Sequence, residues 1–143
     1  MYKAIFFDRD GIVNASIVKN GKPRPPWNID EVLVDKNFID LKNYFADYFK
    51  IFIVSNQPDS KRGFVTKKQL IDVNREIMLR VSPDDFKIDY SDDPRFKKPS
   101  SYMLSELIEK HNIDPNNSWM IGDRWSDIKS GEIAGCKTIL VIN

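Results

Sequence analysis

Five short apolar runs, spaced by segments of helical period, constrain this chain more than any other feature. The runs 3–7, 51–54, 86–90, 118–121 and 138–142 are mostly β-branched or aromatic and bounded by polar or turn residues, the pattern of strands. Between them, residues 36–49 carry Phe38, Leu41, Phe45 and Tyr48 on one helical face. Residues 66–81 repeat Leu70, Val73, Ile77 and Val81 at a period of about 3.6. That segment opens with Thr66 and Gln69 at capping-box spacing. Residues 100–111 follow Pro99 with Met103, Leu104, Leu107 and Ile108, and a last helix over 125–134 stops at Gly135.

Strands alternating with helices predict a mainly parallel sheet covered on both faces, a Rossmann-like three-layer α/β/α sandwich. The expected organisation is one domain over residues 1–143 with no separate cap. Residues 14–35 break the alternation. Their Gly-Lys-Pro-Arg-Pro-Pro core reads as a stiff, extended loop that emerges beside the end of the first strand, where it can serve as a small lid.

Ligands of such sheets bind beyond the carboxyl ends of the strands. Polar clusters fall there: Asp8 and Asp10, Ser55-Asn56-Gln57, Lys97-Lys98, and Asp123 with Asp127. Two carboxylates as close as Asp8 and Asp10 oppose each other's ionisation unless a cation or a shared proton relieves them. Asp123 brings a third acid to the same sheet edge, and carboxylates plus water and a phosphate describe a Mg²⁺ site. Ser55 adds a hydroxyl and strand-end amides suited to an anion, and Lys98 adds a positive charge. One aspartate can then attack phosphorus while the other exchanges a proton with the leaving oxygen and with water.

The segments "DRDG", "VSNQ", "KKP" and "GDRWSD", in that order, resemble the four motifs of the haloacid dehalogenase (HAD) superfamily of phosphatases. Their details are most similar to the histidinol-phosphate and heptose-bisphosphate phosphatase branch. The resemblance implies Asp8 as nucleophile and metal ligand, Asp10 as general acid/base and metal ligand through its main-chain carbonyl, and Asp123 as the remaining metal ligand. It implies Ser55, Asn56 and Lys98 as holders of the phosphoryl group, with Asp127 orienting Lys98 or a metal-bound water from behind. Gln57, Lys97 and Arg124 are expected to face the substrate. Arg24 and Trp27 have the same expectation from their loop, beside the alternative that Trp27 pins that loop to the body.

The reaction so implied is Mg²⁺-dependent hydrolysis of a small soluble phosphomonoester through an aspartyl-phosphate, with a sugar phosphate such as a heptose bisphosphate as substrate. Histidinol phosphate and a nucleic-acid 3′-phosphate end are the alternatives, and a non-catalytic phosphoacceptor or interaction domain is a further one. The net charge of +1 argues against strand tracking on nucleic acid. Two departures from the branch stand out. The loop before Lys98, "YSDDPRFKKP", lacks the zinc-binding cysteines and histidine of many relatives, and the chain holds one Cys and one His in all, so no structural zinc is expected. Lys97 stands where those relatives often have arginine, exchanging a bidentate fork for a point charge.

Taken singly, each motif has a plainer reading. Asp8 and Asp10 can form a solvated turn with Gly11, Ser55 can cap a turn, Lys97-Lys98 can be a solvated pair, and Asp123 and Asp127 can cap the last helix. Trp125 reads as a packing residue. A single cysteine, no apolar stretch near the roughly 20 residues of a membrane helix, and acids close to Met1 predict a cytoplasmic protein without membrane association. Oligomeric state stays open.

Overall fold

The computed structural model describes residues 1–142. Its central sheet joins β1 (Ala4–Phe7), β4 (Lys50–Asn56), β5 (Asp85–Asp89), β6 (Trp119–Gly122) and β7 (Lys137–Leu140) in the order β5-β4-β1-β6-β7. Every pairing in this sheet is parallel. The order reverses at β1, so the carboxyl ends of β1, β4 and β6 flank the switch-point crevice in which open α/β sheets bind ligands.

Strand alternation divides the core in two. Ile5, Phe7, Ile51, Ile53 and Ile121 face Phe38 of α1 (Lys36–Phe45) and Val73, Ile77 and Val81 of α2 (Lys67–Val81). Ala4, Phe6, Phe52, Val54 and Met120 face Met103, Leu104 and Leu107 of α3 (Tyr102–His111). The last helix, α4 (Trp125–Ile133), lies on this second face: a β-carbon on its Gly131 would come within 2.6 Å of the Met120 Cβ. Each large apolar side chain so buried contributes about 1.5–3 kcal/mol relative to exposure. Thr66 and Gln69 form the expected reciprocal cap of α2. No separate cap domain is present among the described residues.

The structure revises three local expectations. Helix α1 ends at Phe45, and Leu41 and Tyr48 are exposed; Phe38 is the buried side chain of α1, and Ile39 and Phe45 pack partly buried against the same core. The 14–35 segment is not wholly extended: β2 (Ile17–Lys19) and β3 (Lys22–Arg24) form an antiparallel hairpin. Its two-residue turn, Asn20-Gly21, has both φ angles positive (52° and 74°), which the asparagine-glycine pair accommodates and which matches the twist of paired strands. Trp125 is exposed rather than packed, since it starts α4 on the side away from the sheet. Among the described residues, no helix is long and apolar enough to cross a membrane.

Candidate active site

Beyond Phe7 the chain leaves the sheet in a tight turn in which the Arg9 carbonyl accepts from the amides of Val13 (2.8 Å) and Asn14 (3.2 Å). The turn, rather than continued strand alternation, brings both Asp8 and Asp10 to one cleft of about 210 Å³ while Arg9 goes into the protein. Lys98 enters the same cleft from the loop before α3. Asn56, at the end of β4, holds that loop by both polarities: its Oδ1 accepts from the Lys98 amide at 2.9 Å and its Nδ2 donates to the Lys98 carbonyl at 3.0 Å.

The Lys98 ammonium is buried and spends all three protons, on Asp8 Oδ1 (2.8 Å), Asp127 Oδ1 (2.7 Å) and the Val54 carbonyl (2.9 Å). Asp127 sits in the first turn of α4, where its Oδ2 also accepts from the Arg124 amide at 3.1 Å, so it caps the helix and braces the lysine together. Gly122 makes room for this: a β-carbon there would overlap the Asp127 carboxylate. Burial pushes the Asp8 carboxyl up to about 7, against the pull of Lys98 and with the help of the Asp127 charge. Burial acts to lower the Lys98 pKa, but the charges of Asp8 and Asp127 outweigh it and raise the ammonium above its ordinary value. Asp8, Asp123 and Asp127 each offer an oxygen within 4.8 Å of the others, a hard, all-oxygen set suited to a divalent cation.

Asp10 is held differently. Its Oδ1 accepts from Arg9 (3.2 Å) and Asn14 (3.0 Å), and its Oδ2 accepts from Gln57 (2.7 Å). Burial acts to raise its pKa, yet the Arg9 charge and the three donors leave it below the ordinary carboxylate value. Its carboxylate stands outside the acidic group formed by Asp8, Asp123 and Asp127.

Several residues expected at the substrate lie elsewhere. Gln57 is fully buried beneath Asp10 and donates to Ser55 Oγ at 2.8 Å as well, because its side chain points back under the β4 end. Ser55 is itself buried and is absent from the cleft wall. Asn56, by contrast, does line the cleft: its side chain holds the Lys98 backbone through Oδ1 and one Nδ2 proton, and its second Nδ2 proton is left over. Lys97 turns to Asp92 (2.7 Å) and does not line the cleft. Trp27 is absent from the cleft wall; the Arg24 guanidinium lies over its ring at 4.0 Å, Phe64 stacks on it, and its indole donates to Asp59 at 2.9 Å. It pins the loop. Arg24 and Arg124 do line the cleft. Arg24 is fixed by Glu31 through two bonds of 3.0 and 2.7 Å.

Sequence reasoning passed over Arg62, Asp59 and Ser126, which also line the cleft. Arg62 is steered by Asp92 at 2.9 and 3.1 Å, the same carboxylate that draws Lys97 away. Its signal was the Lys61-Arg62-Gly63 turn following the second motif, which brings a guanidinium back over the β4 end. The loop 89–97 is knit by its own carboxylates: Asp89 accepts from Ser91 and Asp92, and Asp93 from Arg95.

The HAD-hydrolase-like family profile matches residues 95–143. The D-glycero-α-D-manno-heptose-1,7-bisphosphate 7-phosphatase of Photorhabdus laumondii is 30% identical, over 93% of this chain and 78% of its own length. The corresponding enzyme of Campylobacter jejuni is 26% identical, over 99% of this chain and 83% of its own length. Among solved structures, the D,D-heptose 1,7-bisphosphate phosphatase of B. bronchiseptica, complexed with magnesium and phosphate, superposes with a TM-score of 0.80 at 19% identity, covering 96% of this chain and 79% of that one. A fold with its acids at the switch point, four motifs in order and relatives matched along most of their length converge: the chain belongs to the haloacid dehalogenase superfamily of phosphatases, in the branch that includes these heptose-bisphosphate phosphatases.

Proposed function

We propose that this protein is a Mg²⁺-dependent phosphatase that cleaves a small sugar bisphosphate, in the manner of the heptose-1,7-bisphosphate 7-phosphatases it resembles. One observation carries the reading. Two aspartates two residues apart face one cleft in opposite settings, Asp8 against Lys98 and the acidic group, Asp10 in a clamp of neutral and cationic donors. Without a cation the two pKa directions alone would favour the reverse roles, so the assignment follows the motifs: a cation in the acidic group would return Asp8 to the carboxylate form that attacks phosphorus, and Asp10 would carry its proton on the side of the leaving oxygen.

Asp8 attacks phosphorus through a carboxylate oxygen, and the bond from phosphorus to the leaving oxygen breaks as Asp10 gives that oxygen a proton. Water then attacks the aspartyl-phosphate, Asp10 takes its proton, and Asp8 is restored as phosphate leaves. Lys98, held by Asp127 and the Val54 carbonyl, offers its charge to the transferring group. The oxygens of Asp8 and Asp123 with the main chain of Asp10 would hold Mg²⁺, whose charge offsets that of the phosphoryl oxygens. Arg24, Arg62 and Arg124 on the cleft wall supply positive charge for a second phosphate, a role for which Lys97 is turned away. The hairpin and the 14–35 loop act as a fixed side wall through Pro23, Arg24 and Pro25.

Phosphate release from a panel of sugar bisphosphates, sugar monophosphates, histidinol phosphate and 3′-phosphorylated oligonucleotides tests the reading. Release fastest from a bisphosphate and abolished by EDTA is expected. Preference for a monophosphate would remove the bisphosphate assignment, and release that survives EDTA would remove the metal.

A further inference from the structure

Three residues donate to Asp10, and each leaves one of its own buried polar atoms without a hydrogen-bond partner among the described residues: Arg9 Nε, Asn14 Oδ1 and Gln57 Oε1. Buried polar groups are nearly always paired, so three exceptions around one carboxylate point to geometry held for function rather than for stability. The donors also divide unevenly. A carboxylate has about four lone-pair sites, two on each oxygen. Oδ1 receives two donors, Arg9 and Asn14, whereas Oδ2 receives one, Gln57. One site is left, on Oδ2, and Asp10 lines the catalytic cleft.

Gln57 does more than fill Oδ2. Its single NH₂ donates one proton to Asp10 Oδ2 and the other to Ser55 Oγ. Rotating the amide by half a turn would set its carbonyl oxygen against the carboxylate, so Asp10 itself dictates the orientation. As Ser55 Oγ accepts from Gln57, its own hydroxyl proton is left for a different acceptor.

We propose that Gln57 is a positioning residue that, with Arg9 and Asn14, confines proton exchange with the leaving oxygen to the open site on Oδ2 of Asp10. The proposal rests on the phosphatase reading above. Gln57 never touches substrate. It acts by fixing the direction from which the proton is delivered, so its loss matters in proportion to how much the leaving oxygen needs a proton.

The test measures kcat/KM, which reports the step that expels the alcohol, for Gln57→Met and the isosteric Gln57→Glu against wild type, at saturating Mg²⁺. The substrates are phosphomonoesters whose leaving groups run from p-nitrophenol, which departs unaided, to a sugar hydroxyl, which does not. Expected is a loss of about 10- to 100-fold for the sugar ester and under about 3-fold for p-nitrophenyl phosphate, with KM unchanged. A loss equal across the series, or one confined to KM, would show a merely structural side chain and overturn the proposal. Thermal unfolding of both variants identifies a folding defect, and Gln57→Glu carries the test if Gln57→Met does not fold. Wild type inactive on every ester would sink the phosphatase reading itself, an outcome distinct from a flat series in an active enzyme.

Discussion

Asp8 and Asp10 are two residues apart, line one cleft and differ in nearly everything else. Asp8 lies where three acids come together, two of them paired with one buried ammonium, and burial drives its carboxyl up to about 7. Asp10 lies among donors that outnumber its remaining lone pairs, and its carboxyl stays below the ordinary value. The first setting has an excess of negative charge and calls for a cation; the second is already neutralised. The chemistry of a carboxylate is set by which partners the fold aims at it, and one turn of chain is enough to separate two such settings.

The largest test of that contrast is a pair of substitutions. On the proposed mechanism Asp8→Asn should lower turnover by about 10⁴-fold or more on every ester, because it removes the proposed nucleophile. Asp10→Asn should be comparably damaging for a sugar ester but much milder for the formation of phosphoenzyme from p-nitrophenyl phosphate, followed by the burst of p-nitrophenol. Equal losses on both esters would dissolve the distinction between the two aspartates.

Next in size is the ammonium. Lys98→Met leaves Asp8 and Asp127 buried without their cation and should cost about 3–5 kcal/mol in urea unfolding. Added Mg²⁺ should recover part of that stability by returning a cation to the acidic group. Wild type should also gain stability from Mg²⁺ beyond the effect of NaCl at equal ionic strength, and a Lys98→Met variant indifferent to Mg²⁺ would argue that the acids do not form a cation site.

Gly122→Ala probes the other side of the ammonium, because the new methyl group meets the Asp127 carboxylate. It should cost about 1–3 kcal/mol in the same measurement and should loosen Lys98, raising KM for the phosphoester. Unchanged KM would separate the brace from substrate binding.

The smallest effect belongs to the side wall. Hydrogen bonds from Arg24 hold the Glu31 carboxyl at about 2, well below its ordinary value near 4.5. A carboxyl depressed in the folded state stabilises fully above its unfolded value and loses that contribution as pH falls from about 4.5 toward 2. Glu31→Gln should therefore flatten the acid limb of stability across that window, by about 0.2–1 kcal/mol for a partly exposed pair, and leave turnover near neutrality almost unaltered. A large fall in neutral-pH activity would instead make the wall part of the catalytic machinery.

Much of this was legible beforehand. Strand-and-helix periodicity marked the five sheet strands and four helices to within a few residues, since burial on two faces demands apolar repeats that any reader can count. The acids, Lys98 and Asp127 were legible because each follows an element end, where a parallel sheet collects its ligand groups. The hairpin was missed although Asn20-Gly21 is a strong turn signal, because three prolines nearby argued for an extended strap. Gln57 and Lys97 were misdirected for a different reason. Which way a side chain leaves a strand end depends on the turn that follows and on the partner that claims it: Asp10 and Ser55 for Gln57, Asp92 for Lys97.

By itself, then, the chain's order of residues determined the layered parallel architecture and the set of groups at its switch point, because both follow from local period and from position relative to strand ends. Tertiary structure alone decided that Asp10 is clamped while Asp8 is not, that Arg62 rather than Lys97 reaches the cleft, and that Trp27 is engaged by Arg24, Phe64 and Asp59 instead of lining the cleft. Each of those outcomes draws on a partner 30 to 47 residues away along the chain, Gln57 for Asp10, Asp92 for Arg62 and Asp59 for Trp27, and charge and hydrogen bonding act through space, over distances that a one-dimensional pattern does not contain.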